Sequence, residues 1–227
     1  MKDLLYKEFR LCMPMQIPLF FLFACMLFIP NYPYVVAGFF ICNAIFYSFT
    51  MAAADSDLEY SLSLPVSKKQ IVGGKQLFVA LIQFAALLIF GAAAALSFFA
   101  AGPRTNNAGC DGSLTLLGGY LLLFSVFNVS FLPGYYKAPR KTGKRFLISI
   151  IYMFLFIILF EGFMIASEAA GELAFFSFIK TYFKQFPQTP GAWGAQALFF
   201  VFSAAVYAVM NLIGFRRSVH NFERLDI

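Results

Sequence analysis

Few side chains in this chain could do chemistry, and their spacing points away from catalysis. The one histidine, His220, lies in a polar tail beside Arg216, Arg217 and Arg224, where a solvated residue is expected rather than a general base. No serine stands in the pattern of a nucleophile elbow. The nearest approach to a phosphate-binding loop is Ala138–Arg145, with Ala138 where the first glycine belongs and Arg145 where Ser or Thr belongs. No strand is expected ahead of it, so the chain has no such route of its own to ATP hydrolysis. Of Cys12, Cys25, Cys42 and Cys110, three fall in or beside apolar runs, where cysteine acts as a small hydrophobe. Cys110 sits in a polar loop, and the four show neither a disulfide framework nor metal-ligand spacing. The expectation is a protein that is not an enzyme, without catalytic, cofactor-binding or metal-ligating residues.

Polar residues inside apolar runs are the remaining candidates. Asn43, Gln83, Asn128 and Asn211 each either line a path or bond a neighbouring helix. Glu161 lies deep in a run, towards the outer leaflet. A charge at that depth costs a few kcal/mol, so this acid must face protein or water, or hold a proton. Asn43, Gln83, Asn128 and Glu161 are therefore candidates to line a path through the helices.

These residues must be positioned by membrane helices. Of 227 residues 61% are hydrophobic and 12% charged, against about 45–50% and about 25% in soluble domains. The excess falls in runs long enough for the roughly 20 residues that cross a bilayer. Spans are expected at about 14–29, 34–54, 76–101, 113–133, 146–166 and 193–215. The first is short and has Pro14 and Pro18 in its opening turns. No small-residue cleavage site separates it from the second, so it reads as a retained helix, not a signal peptide. Lys and Arg divide 14 to 3 between alternate connecting segments, with only Arg104, Lys180 and Lys184 in the smaller set. The rule that positive loops stay inside then puts both termini in the cytoplasm and the chain, as a multi-pass protein, in the cell membrane. The net charge of +6 fits anionic lipid at that surface rather than nucleic acid.

Three shorter elements are expected between or before the spans. Residues 1–13 form a helix with Leu5, Phe9 and Cys12 on one stripe, suited to lie at the inner interface. On the outer side, residues 171–186 repeat Phe175 or Phe176, Ile179, Tyr182 or Phe183, and Phe186 at helical spacing, with Lys180 and Lys184 largely opposite. The third is cytoplasmic. Ser56 with Glu59, and Ser67 with Gln70, read as capping boxes, the second with Val66 and Ile71 placed as a hydrophobic staple. Pro65 ends a short helix near Leu64. That helix carries Leu58 and Leu62 on one face and Asp57 and Glu59 in its first turn, where the helix dipole favours acids. Anionic lipid repels such a helix, so docking to a partner protein is favoured over lying on the membrane.

The stretch from Asp55 to Lys75 resembles a segment of small bacterial permeases of the ABC type-2 transporter class. The likeness is carried by the acidic start, the Ser63–Ser67 core Ser-Leu-Pro-Val-Ser, the basic pair Lys68 and Lys69, then Ile71, Val72 and Lys75. The opening Lys2–Arg10 also looks like that family, whose pair often ends in Arg where this chain has Lys69. The resemblance implies an all-α integral membrane fold over residues 1–227, a single permease domain of six transmembrane helices. An N-terminal interfacial helix, a cytoplasmic coupling helix and an outer amphipathic helix before the last span complete it. It implies the membrane subunit of an ATP-driven exporter, paired with a second copy or paralogue. ATP and Mg would be bound by separate cytoplasmic ATPase subunits. Docking to these falls to Asp55, Asp57, Leu58, Glu59, Leu62, Leu64, Pro65, Lys68 and Lys69. The alternatives are a membrane sensor or immunity subunit that does not transport, an ion-driven carrier, whose repeated halves are not evident here, and a membrane enzyme.

Overall fold

A chain in lipid must satisfy its backbone internally, which helices do, and in the computed structural model the elements of the described residues are all helical. The structure describes residues 2–11, 16–102 and 105–225. Cys12 of the N-terminal stripe, Pro14 at the expected start of the first span, and Arg104 lie outside them.

Among the described residues, five helices are long and apolar enough to cross a membrane. They are α3 (Val36–Ala54), α5 (Lys68–Ala101), α6 (Leu114–Lys137), α7 (Thr142–Ala169) and α9 (Pro190–Glu223). The first apolar segment, α2 (Gln16–Phe28), is α-helical to Phe20 and then a 3-10 helix. At about 1.5 and 2.0 Å per residue it reaches about 24 Å, short of the ~30 Å hydrocarbon core. The shorter elements are α1 (Lys2–Leu11), α4 (Asp57–Ser63) and α8 (Ala174–Ile179).

α6 is the centre of the bundle and packs along α9, then against α7 and α3. Two glycines permit this approach. A Cβ on Gly118 would stand 2.8 Å from the Phe199 ring of α9, and one on Gly119 would stand 3.0 Å from the Phe160 ring of α7. Aromatic side chains fill the layer between α3, α6 and α7: Phe46 stacks on Phe146 at 3.9 Å, and Phe49 meets Tyr135 edge-on at 4.7 Å.

The bundle has two polar ends. At one lie α1, α4, the start of α5 and the end of α9, where Lys68 Nζ donates to the carbonyls of Phe222 and Leu225. At the other, Asn106 donates to the Tyr32 carbonyl and Asp111 N–H to that of Lys184.

Three local expectations change. Ser56 does not cap α4 with its side chain; it sits at φ 53, where its hydroxyl cannot take the extended N-cap geometry. It acts instead as the left-handed residue that ends α3. The Ser67–Gln70 capping box does form, and it starts α5 at Lys68, eight residues before the expected span. The outer amphipathic helix stops at Ile179 and passes into a π-turn, Lys180–Lys184. The wider turn rotates the residues at its end, so Lys184 is buried rather than on the polar side.

Candidate coupling site

α4 owes its position to a ring of four charges. Lys7 Nζ lies 2.7 Å from Asp57 Oδ1 and 3.1 Å from Glu8 Oε1; Lys75 Nζ lies 2.8 Å from Glu8 Oε2 and 3.1 Å from Asp57 Oδ2. Lys7 also donates to the Ser61 hydroxyl at 2.6 Å, and Lys75 sits 5.3 Å over the Phe49 ring. All four side chains are 10% exposed or less. Signs alternate around the ring, so each buried charge has two opposite neighbours, the condition under which burial of ions is tolerated. Burial pushes the Asp57 carboxyl up, but Lys75 and Lys7 outweigh it and hold the group below the usual carboxylate range.

The ring joins three elements. Asp57 and Ser61 are one turn apart on α4, Lys75 is in the second turn of α5, and Lys7 and Glu8 belong to α1. α1 lies directly on α5: a Cβ on Gly74 would be 3.3 Å from that of Leu4. The inward face of α1 includes Leu4 and Glu8, whereas Phe9 is partly exposed at the edge, against Phe78.

Among the residues expected to dock a partner, Asp57 is therefore buried, and Leu58, Leu62 and Leu64 are half-buried, the first two against the core. Lys68 is half-buried and occupied with the end of α9. Asp55, Glu59, Pro65 and Lys69 face outward, together with Tyr60, which is 53% exposed.

The path candidates fall in two places. Gln83 and Asn128 are buried and exchange two amide hydrogen bonds of 2.9 Å between α5 and α6. Asn211 accepts from Asn128 at 3.0 Å and Tyr207 donates to Gln83 at 2.7 Å, which ties in α9. Asn43 is half-buried on α3. Glu161 is buried at the opposite end from α4, where its oxygens accept the N–H groups of Val35 (3.1 Å) and Cys110 (2.9 Å). Gly109 permits this, since a Cβ there would be 2.0 Å from the carboxylate. Beside it, Lys184 is buried with its Nζ 2.7 Å from Glu168, which also pairs with Lys180. Asp111 accepts from the Asn106 and Phe186 N–H groups, and burial raises its carboxyl above the ordinary range. Among the described residues no three His, Cys, Asp or Glu side chains converge as a metal site would require.

Sequence reasoning counted Lys7 as a topogenic charge and Lys75 as that and as part of the family-like motif, paired neither with Asp57, and did not single out Glu8. The available signal was Lys75 in the second turn of α5, at the edge of the apolar run, where a lysine needs a partner.

A family model described as ABC-2 family transporter protein matches residues 3–222. No curated protein and no solved structure matches the chain. With its helical multi-pass architecture and a match over nearly its whole length, the chain belongs to the ABC-2 family of transporter membrane proteins.

Proposed function

We propose that this permease is the membrane subunit of an ATP-driven exporter, that it works as a dimer, and that α4 is the helix through which separate ATPase subunits drive it. The observation that carries the reading is the two-sided character of α4. One side is tied to α1 and α5 by the ring of Lys7, Glu8, Asp57 and Lys75. The other presents Asp55, Glu59 and Tyr60, exposed among the described residues. A push on that exposed face would reach α5 and the bundle through short, charged contacts instead of being lost in a loose loop. Members of the family generally act with separate ATPase subunits, which would bind the ATP and Mg.

The six-span, cytoplasm-in arrangement belongs to the same proposal. Lys7 is bonded at the α4 end and Tyr32 at the opposite end, which supports α2, though short by itself, as part of a sixth crossing. The 14-to-3 division of Lys and Arg puts the α4 end in the cytoplasm.

The test is co-purification from mild detergent. The intact protein should bring down an ATPase, and Glu59→Lys combined with Tyr60→Ala should lose it while keeping the parent's thermal unfolding profile. If no ATPase accompanies the intact protein, the reading gives way to a membrane protein that does not transport. If the double variant retains the ATPase, docking lies elsewhere.

A further inference from the structure

A lateral groove of about 590 Å³ opens between α6, α7 and α9. Its walls include Val126 and Val129 of α6, Leu155 and Leu159 of α7, and Met210 of α9, with Arg217 at one end. The serines in its wall add little polarity, because Ser125 and Ser130 donate to the Leu121 and Val126 carbonyls of their own helix. From Val206 to Arg217 the groove runs about 16 Å at ~1.5 Å per residue. That is close to half of the ~30 Å hydrocarbon core, the depth of one leaflet.

Its charged end is on the α4 side. The α9 stripe Val206, Met210 ends on Arg217, which is exposed. The α7 stripe Phe156, Tyr152 leads back seven residues to Arg145. The α6 stripe Val126, Ser130 leads on to Gly134, and there the two helices meet: a Cβ on Gly134 would be 3.1 Å from Arg145 Cδ. The Arg145 Nε is buried and has no hydrogen-bond partner among the described residues. An apolar trough one leaflet deep thus ends at Arg217, and Arg145, on the α7 stripe that continues past Tyr152, brings an unused donor just beyond that end. Arginine guanidinium groups match phosphate geometry, and basic pockets between transmembrane helices on the cytoplasmic side suit anionic headgroups.

We propose that this groove is a binding site for an anionic phospholipid of the leaflet on the α4 side, its acyl chain against α6 and α9 and its phosphate held by Arg217 and Arg145. The occupant is a lipid rather than a soluble anion because the charged end continues into an apolar wall that only a chain would cover. The inference does not depend on ATPase coupling.

The experiment reconstitutes the full chain in nanodiscs of phosphatidylcholine doped with a photoactivatable phosphatidylglycerol or, in parallel, a photoactivatable phosphatidylcholine. The labelled peptides are then mapped. The phosphatidylglycerol probe should label α6, α7 and α9 around Val129, Leu155 and Met210 in preference to the phosphatidylcholine probe. Removing each arginine, as Arg217→Gln and Arg145→Gln, should lower that preference about fivefold. Val206→Trp, which fills the trough, should reduce labelling by both probes, while Arg140→Gln with Lys144→Gln, exposed at the same end, should leave the preference intact. Equal labelling by the two probes in the unaltered protein would overturn the proposal, and that comparison needs no variant to fold. So would an equal loss from the Arg140/Lys144 pair, which would mean surface charge alone. Full displacement of the probe by inorganic phosphate, or cross-linking of two protein copies through this face, would replace the lipid by a free anion or a second subunit.

Discussion

At the scale of single residues the protein concentrates its charge in two buried knots, one at each end of the bundle. In the ring of Lys7, Glu8, Asp57 and Lys75 every charge leans on two others, so deletion of one member strands its neighbours. Lys75→Met should cost about 3–5 kcal/mol, read as a lowered unfolding midpoint in detergent. Asp57 is held below the ordinary carboxylate range, so its contribution is present above an unfolded value of about 4. It is lost as pH falls through the lower folded value. Asp57→Asn should therefore flatten the acid limb of a stability profile, and an unchanged limb would show that other carboxylates set it. The opposite end behaves asymmetrically. Lys184 is fully buried, while Glu168 is a third exposed and keeps Lys180 as a second partner. Lys184→Met should be close to neutral in thermal unfolding. Glu168→Ala, which removes the carboxylate in contact with that buried ammonium, should cost several kcal/mol.

At the scale of elements, the helix contacts are set by small residues and by what ends each helix. α6 approaches α9 and α7 at Gly118 and Gly119, where an added side chain meets the Phe199 and Phe160 rings. Gly118→Leu should cost about 1–3 kcal/mol or more through overpacking, whereas Gly143→Ala, with open space around it, should be neutral; their difference in unfolding midpoint checks the point. α4 is set off from α3 by Ser56 at φ 53. A glycine takes that conformation without the ~1 kcal/mol cost that a Cβ brings. Ser56→Gly should leave α4 in place and modestly raise or preserve the midpoint. On the other side of α4, the capping box at Ser67 makes α5 one unbroken helix from the α4 turn to Ala101. In the proposed coupling, displacement of α4 would thus be delivered to one continuous helix of 34 residues.

At the scale of the whole molecule, the arrangement places a charged, partly bare helix at one end and a closed polar cap at the other. With the proposed orientation, Asn107→Cys, exposed beside the cap, should react with an impermeant maleimide in intact cells. Ser63→Cys, exposed on α4, should react only after permeabilisation. The reverse pattern would invert the protein in the membrane and remove α4 from any cytoplasmic ATPase. Much of this level was legible in the residue order. Hydropathy is a one-dimensional property, so the five long spans could be located from the runs alone, and the division of Lys and Arg needs only counting. Features confined to a few neighbouring residues were also legible where their backbone was ordinary. The Ser67–Gln70 box formed, while Ser56–Glu59 failed because the termination of α3 imposed a left-handed residue on it. What only the tertiary structure decided is which faces of those helices meet. Apolar on nearly every side, the spans carry little amphipathic signal to say which stripe points inward. The pairing of Lys7 with Asp57, of Gln83 with Asn128 and of Glu161 with the N–H of Cys110 joins residues tens of positions apart. Such contacts arise from helix packing, which is a balance over many small steric fits, such as that at Gly118, and is not encoded in any short stretch of the chain.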